Sequence, residues 1–287
     1  MDLAHQLFAQ LQELPQVEAI ALGGSRASGL HDARSDYDVY LYCTAPIDEE
    51  ARRALLARYC TVMEIGNHYW EYEDNCTFRD GVDLDLLHRD LDGFAADMRR
   101  VVEGHEASLG YTTCMWHNLR TCKVVFDRHS RLEALQRRFD VPYPDALRDA
   151  IIHANMPLLH GALPAYDAQI HKAASRGDLV SVNHRVAAFL ASYFDVLFAI
   201  NGMTHPGEKR QLGIAERDCR VLPEDFRSSF DTLFASMFTD TAKLDSTIAQ
   251  LARNLPLCGT DCLVTLGRYA KSRSKAAWWL LRLGLNQ

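Results

Sequence analysis

Hydrophobic and polar residues follow two different patterns along this chain. In the first hundred residues, apolar runs at 17–22, 38–42 and 82–87 have the length and β-branched content of buried strands. Leucines spaced at helical intervals predict a first helix that ends at Pro15. The other elements predicted in this part are helices at 48–60 and 90–102 and an extended aromatic segment at 68–78.

From about residue 101 the apolar positions recur with helical periodicity, and strand signals become scarce. We therefore expect an α+β N-terminal domain, a mixed sheet flanked by helices, at residues 1–105. An all-α domain is expected at residues 106–287. The helical segments that indicate it are 131–139, 145–160, 164–176, 179–201, 223–236 and 240–255.

Composition narrows the class of protein. The 287 residues are 48% hydrophobic and 24% charged, as in soluble globular proteins. The net charge of −7 argues against a protein that coats nucleic acid, although it allows a local basic groove. No signal-like N-terminus or apolar stretch of membrane-spanning length is present, so we expect a cytoplasmic protein without a membrane partner.

The eight cysteines contain no CxxC pair. Cys258 and Cys262 lie four residues apart, but no second pair completes a zinc site. We interpret the cysteines as reduced thiols. The basic and then apolar stretch at 271–281 is interpreted as a docked helix, with contact to a phosphate backbone or a membrane surface as the alternative.

A small turn, Gly23-Gly24-Ser25-Arg26, follows the first predicted strand. Glycines allow close backbone approach, and exposed amides beside a hydroxyl favour an anion such as phosphate. The Lys-Ser/Thr of a Walker loop is missing, and glycine turns after strands are common. The turn by itself is therefore weak evidence for phosphate binding. Arg26 is equally a candidate phosphate contact and an ordinary surface arginine.

Two pairs of acids support the interpretation of this turn as part of a phosphate-binding site. Asp36 and Asp38 share one face of an extended segment, because side chains alternate along a strand. Asp83 and Asp85 share a face of a later apolar strand, where acids are costly unless that face is wet or binds a metal. If the two strands are neighbours, their carboxylates converge on Mg²⁺, and two ions would suit such a site.

The order of Gly24-Ser25, Asp36-x-Asp38 and a later strand acid resembles the DNA polymerase beta-like nucleotidyltransferase superfamily, over about residues 17–90. That superfamily includes aminoglycoside and lincosamide nucleotidyltransferases, CCA-adding enzymes and antitoxin-type minimal nucleotidyltransferases. The resemblance implies that Gly24 and Ser25 contact the triphosphate of ATP or another nucleoside triphosphate.

It also implies that Asp36 and Asp38 bind the metals. Asp83 is the preferred third acid, with Asp85 as the alternative or as an additional metal ligand. The third acid in this superfamily binds a metal, acts as general base, or both.

A second resemblance extends over most of the chain, to bacterial nucleotidyltransferase-domain proteins with a helical C-terminal region. The segments that carry it are Trp70-Glu71, Asp74, Gly81-Val82-Asp83, Gly110-Tyr111-Thr112-Thr113, Tyr143-Pro144 and His205-Pro206-Gly207-Glu208-Lys209-Arg210.

The resemblance implies transfer of a nucleoside monophosphate, with AMP as the family-level expectation, to a hydroxyl group, with release of pyrophosphate. Lys209 is a candidate triphosphate contact, and a solvated surface is its alternative. The acceptor is open: a small molecule, an RNA such as tRNA, or a protein, as for antitoxin-type members. A non-catalytic nucleotide-binding module is the remaining alternative.

Overall fold

The computed structural model describes residues 2–28 and 35–255, and its contacts divide the chain into two compact units. Among the described residues, the first unit contains those up to 104 together with 115–142, and the second contains 105–114 and 143–255. Cys258, Cys262 and the 271–281 stretch lie outside the described residues.

The first unit is built on a mixed sheet, with six strands among the described residues. Its order is β3-β4-β5-β2-β1-β6, and β2 and β5 run parallel while the other neighbours are antiparallel. The strands are β1 (Val17–Leu22), β2 (Tyr37–Cys43), β3 (Cys60–Asn67), β4 (Glu73–Phe78), β5 (Asp83–Asp90) and β6 (Lys123–Asp127).

Helices pack on this sheet through apolar side chains. Asp2 and Asp48 cap the first and third helices, because their carboxylates accept hydrogen bonds from backbone N–H groups in the first turn. Leu7 and Leu11 of the first helix are buried with Val39 and Leu41 of β2 in one core. The helices are α1 (Leu3–Leu11), α2 (Gly24–Ser28), α3 (Glu49–Leu56), α4 (Leu91–Met98, continued by a π-helical turn at Arg99–Glu103), α5 (Cys114–Thr121) and α6 (Arg131–Phe139).

The predicted strands at 17–22, 38–42 and 82–87 are confirmed as β1, β2 and β5. The sequence pattern did not indicate β3 or β6. Because β6 pairs antiparallel with β1, the first unit takes in residues 115–142 as well, which the predicted range 1–105 omits. The helix predicted at 131–139 is present, and it belongs to this sheet-containing unit.

In its described residues, the second unit is helical, as expected. Its longest helix lies in a core of buried aromatic and aliphatic side chains, among them Phe189, Tyr193 and Phe230. No helix in the described part of the chain combines the length and apolar character needed to span a membrane. The helices are α7 (Asp145–Leu159), α8 (Tyr166–Ala174), α9 (Leu179–Ile200), α10 (Gln211–Asp218), α11 (Phe226–Ser236) and α12 (Thr241–Arg253).

Candidate active site

Three carboxylates meet where β2 begins. Asp36 precedes the strand, Asp38 is its second residue, and Asp85 lies directly opposite Asp38 on the parallel neighbour β5. One oxygen from each of the three side chains lies within 4.8 Å of the other two. Like charges this close repel one another, so the arrangement favours a bound cation.

The structure groups Asp85 with Asp36 and Asp38, whereas the motif order in the sequence favoured Asp83 as the third acid. Asp83 lies on the same face of β5 but two residues earlier, where its partner is Thr77 on β4. Its carboxylate accepts a hydrogen bond of 2.8 Å from the Thr77 hydroxyl. Alternation along the strand puts both acids on one face, and only the register between β2 and β5 brings Asp85 to Asp38.

Two side-chain amides orient Asp85, and the sequence pattern did not predict this contact. The Asn75 Nδ2 donates to Asp85 Oδ1 at 2.8 Å, and Asn67 Nδ2 donates to Asn75 Oδ1 at 2.7 Å. A signal was available in the sequence, because polar side chains at every second residue of β4 indicate a face that is not part of the apolar core.

Gly24 must be a glycine because it lies against the carboxylate of Asp38. A Cβ at this position would be 2.0 Å from Asp38 Oδ2, and the backbone has φ +56°. The preceding amide, that of Gly23, donates to the Asp38 carbonyl oxygen at 2.7 Å. The turn that carries Gly24 and Ser25 at the beginning of α2 is therefore adjacent to the acids.

The Tyr40 side chain packs against the same turn. A Cβ on Gly23 would lie 2.5 Å from the Tyr40 hydroxyl, so the ring packs against the backbone of the turn. Burial raises the pKa of Tyr40 to about 12, although the nearby Arg89 guanidinium lowers it, and the phenol stays protonated at neutral pH. The guanidinium carbon of Arg89 lies 4.1 Å from the centre of this ring.

Arg26 interacts with the backbone that carries Asp36. Its Nε donates to the carbonyl oxygens of Ser35 and Asp36, each at 3.0 Å. Its guanidinium carbon also lies 3.6 Å from the centre of the Tyr37 ring. These contacts fix the path of the chain as it enters β2.

Lys209, the cation expected to reach the triphosphate, belongs to the second unit. It is exposed and lies two residues before α10. Its role towards a nucleotide stays a prediction.

The donor set fits a divalent cation. Asp36, Asp38 and Asp85 offer only carboxylate oxygens, which are the hard ligands that Mg²⁺ prefers. All three side chains are at least partly exposed, so a cation bound by them would be accessible to further ligands.

Comparisons with known proteins give similarities to solved structures alone. No protein-family model and no curated protein matches the chain. A nucleotidyltransferase-like protein from Exiguobacterium sibiricum 255-15 is similar over 93% of this chain and 79% of its own, at 14% identity and a TM-score of 0.44.

Two further matches are more distant. An aminoglycoside 6-adenyltransferase from Bacillus subtilis matches over 93% of this chain and 96% of its own, at 12% identity and a TM-score of 0.24. A CCA-adding enzyme in complex with CTP matches over 99% of this chain and 86% of its own, at 11% identity and a TM-score of 0.27.

Proposed function

We propose that this protein is a metal-dependent nucleotidyltransferase that transfers a nucleoside monophosphate to a hydroxyl group and releases pyrophosphate. The observation that carries the proposal is the convergence of Asp36, Asp38 and Asp85 beside the glycine turn. A cluster of acids with a closely packed glycine turn at its edge suits a metal-bound triphosphate.

Each residue has a role in the proposed reaction. Asp36, Asp38 and Asp85 hold Mg²⁺, with two ions expected, and Gly24 and Ser25 face the triphosphate. Bound magnesium supplies positive charge at the reacting phosphate and at the leaving group. The acceptor oxygen bonds to the α-phosphorus, the α–β bridging P–O bond breaks, and pyrophosphate leaves with that electron pair. The carboxylate of Asp85, held in orientation by Asn75, takes the hydroxyl proton.

The donor and acceptor are proposed from the resemblance to the superfamily. ATP is the expected donor, with AMP as the transferred group, and the expected acceptor is a hydroxyl of a small molecule. An RNA or a protein is the alternative acceptor, and a cytoplasmic location suits each of these substrates.

Label transfer tests the activity. The purified full chain is incubated with Mg²⁺ and α-labelled ATP, GTP, CTP or UTP, together with cell extract divided into small-molecule, RNA and protein fractions. We expect label to move from ATP into the small-molecule fraction, and chelation of the metal to abolish it. Magnesium-dependent ATP binding without transfer into any fraction would contradict the proposal and favour a nucleotide-binding module.

The pair Asp85→Asn and Asp83→Asn tests which acid belongs to the site. The two residues share a strand and a face, so each variant serves as the control of the other. We expect Asp85→Asn to weaken Mn²⁺ binding, measured by electron paramagnetic resonance, at least about tenfold. Asp83→Asn should change that affinity less than about threefold, because it loses one exposed hydrogen bond to Thr77. Equal losses in the two variants would contradict the assignment.

A further inference from the structure

A second candidate site lies entirely within the helical unit, apart from the acidic cluster. It is a cavity of about 540 Å³, which is within the size range of pockets for small organic ligands. Phe194 and Leu190 of α9 and Phe230 of α11 line its apolar part, and Phe234 lies at its half-exposed edge. Tyr111 and Arg210, from two separate loops, also line the cavity.

Both loops hold a bulky side chain in a strained backbone conformation at this cavity. Tyr111 has φ +56° and Arg210 has φ +60°, in the left-handed region that residues other than glycine rarely adopt. Conformations of this kind are costly and persist where the surrounding structure imposes them. Here the strain aims two side chains of different chemistry at one cavity.

Buried polar groups impose the first loop's conformation. Asp195 accepts hydrogen bonds from the Thr112 amide at 3.1 Å and from the Thr112 hydroxyl at 2.6 Å. Asn155 accepts from the Gly110 amide at 3.1 Å and donates to the Ser108 carbonyl oxygen at 2.9 Å. Tyr111 is thus held between two anchored neighbours.

The second loop is attached to the first. The His205 amide donates to the Thr113 hydroxyl at 2.8 Å, and the His205 ring lies 4.7 Å from the Tyr111 ring, centre to centre. Gln211 in turn donates to the Gly207 carbonyl oxygen at 3.0 Å. The walls of the cavity are therefore pre-organised before a ligand arrives, which lowers the ordering cost of binding.

The charged residues that line the cavity indicate the charge of the ligand that it would bind. Arg227 is already paired with Glu216, to which its Nε donates a hydrogen bond at 2.7 Å. The Arg210 guanidinium is exposed and has no hydrogen bond or ion pair with any residue that the structure describes. Glu208 is the carboxylate among the described lining residues, and it forms no ion pair with Arg210. Since Glu216 neutralises Arg227, the Arg210 guanidinium is the described lining cation that is available to a ligand.

We propose that this cavity binds a small organic anion that has an aromatic ring. The ring packs against Phe194, Phe230 and Phe234, and the anionic group pairs with Arg210. The site belongs to the second unit alone, so it does not depend on the proposed nucleotidyl transfer.

Two fluorescent probes of similar ring system test the proposal on the full chain. 8-Anilino-1-naphthalenesulfonate carries an anionic group, and N-phenyl-1-naphthylamine lacks it. We expect saturable binding of the sulfonate at one site. Arg210→Gln should weaken its binding about tenfold, the value of one charge-assisted contact, and should change binding of the neutral probe less than about threefold. Phe234→Ala should weaken both probes.

Arg220→Gln and Phe238→Ala are the matched controls, because both residues are exposed in the same unit and neither lines the cavity. We expect both controls to bind both probes as the parent chain does. Unchanged sulfonate binding in Arg210→Gln, or equal losses in the controls, would overturn the proposal. Arg210 is at the surface, so that variant remains informative even if Phe234→Ala does not fold.

Discussion

At the scale of single residues, the glycine turn is defined by what it lies against. A motif of this kind is usually interpreted through the phosphate that it binds. In this protein Gly24 also makes room for the carboxylate of Asp38, and Tyr40 fills the space on the other side of Gly23. The glycine turn and β2 therefore pack directly against each other, so a side chain added in the turn would displace residues of β2.

Gly24→Ala and Gly81→Ala separate this contact from backbone strain. Both glycines have positive φ, but a Cβ on Gly81 meets nothing within 4 Å. Each variant should lose about 1–2 kcal/mol of unfolding free energy in urea titrations, the cost of a left-handed alanine. Gly24→Ala alone should also weaken Mn²⁺ binding at least about tenfold, because the new methyl group displaces Asp38. Similar metal affinity in the two variants would show that Asp38 is not held by this contact.

At the scale of elements, side chains alternate between the two faces of β4, and each face contacts a different group of residues. On one face, Asn75 donates a hydrogen bond to Asp85 of the acidic cluster. On the opposite face, Asp74 is fully buried. There Asp74 accepts hydrogen bonds from Arg52 of α3 and from the Gly66 amide at 2.9 Å, and its other oxygen lies 2.9 Å from His88 Nε2.

The pKa of Asp74 reflects this environment. Burial raises it, but the hydrogen bond with His88, the Gly66 amide and the charge of Arg52 bring the net pKa below its usual value. One buried ion pair thus joins α3 to the sheet.

Arg52→Met and Arg53→Met test the importance of this pair. The Arg52 side chain is 1% exposed, whereas that of Arg53 is 44% exposed and lies 3.8 Å from Glu50. Arg52→Met leaves Asp74 buried without its cation, so we expect a loss of about 3 kcal/mol of unfolding free energy. Arg53→Met should cost less than about 1 kcal/mol. Urea unfolding followed by circular dichroism measures both, and equal costs would contradict the assigned role of Arg52.

At the scale of the whole molecule, the chain passes between its two units more than once. Residues 105–114 belong to the helical unit, and 115–142 return to the sheet-containing unit. Each unit has its own apolar core, one around β1, β2 and β5 and the other around α9. The short segment in the helical unit depends on Asp195, which receives two hydrogen bonds from Thr112.

Stability of the helical unit should depend on pH through Asp195. Burial raises its pKa to about 7 from 3.8, although the hydrogen bonds from Thr112 lower it. The folded state then binds a proton that the unfolded state has released, so unfolding free energy falls as pH rises from about 4 to about 7. The full effect is about 4 kcal/mol.

Asp195→Asn removes the titrating group and keeps an oxygen that accepts from the Thr112 amide. Urea titrations of both proteins between pH 4 and 8 should therefore show a stability difference that shifts in favour of the variant as pH rises. A constant difference across that range would exclude Asp195 as the source.

Local patterns predicted much of the fold and of the site. Apolar runs indicated β1, β2 and β5, and helical periodicity indicated most helices of the second unit, because burial on one face imposes these periods. The sequence pattern did not indicate β3, whose residues are largely exposed or half-buried, or β6, a short edge strand. Neither has the buried apolar run by which the other strands were found.

The sequence by itself determined that acids at i and i+2 share a face on two strands, and that a glycine turn precedes them. These are properties of the local chain, fixed by side-chain alternation and by the missing Cβ of glycine. Only the tertiary structure decided that Asp85 and not Asp83 joins Asp36 and Asp38, and that Tyr111 and Arg210 line one cavity. Strand register and the packing of distant loops decide such pairings, because they depend on contacts between residues far apart in the chain.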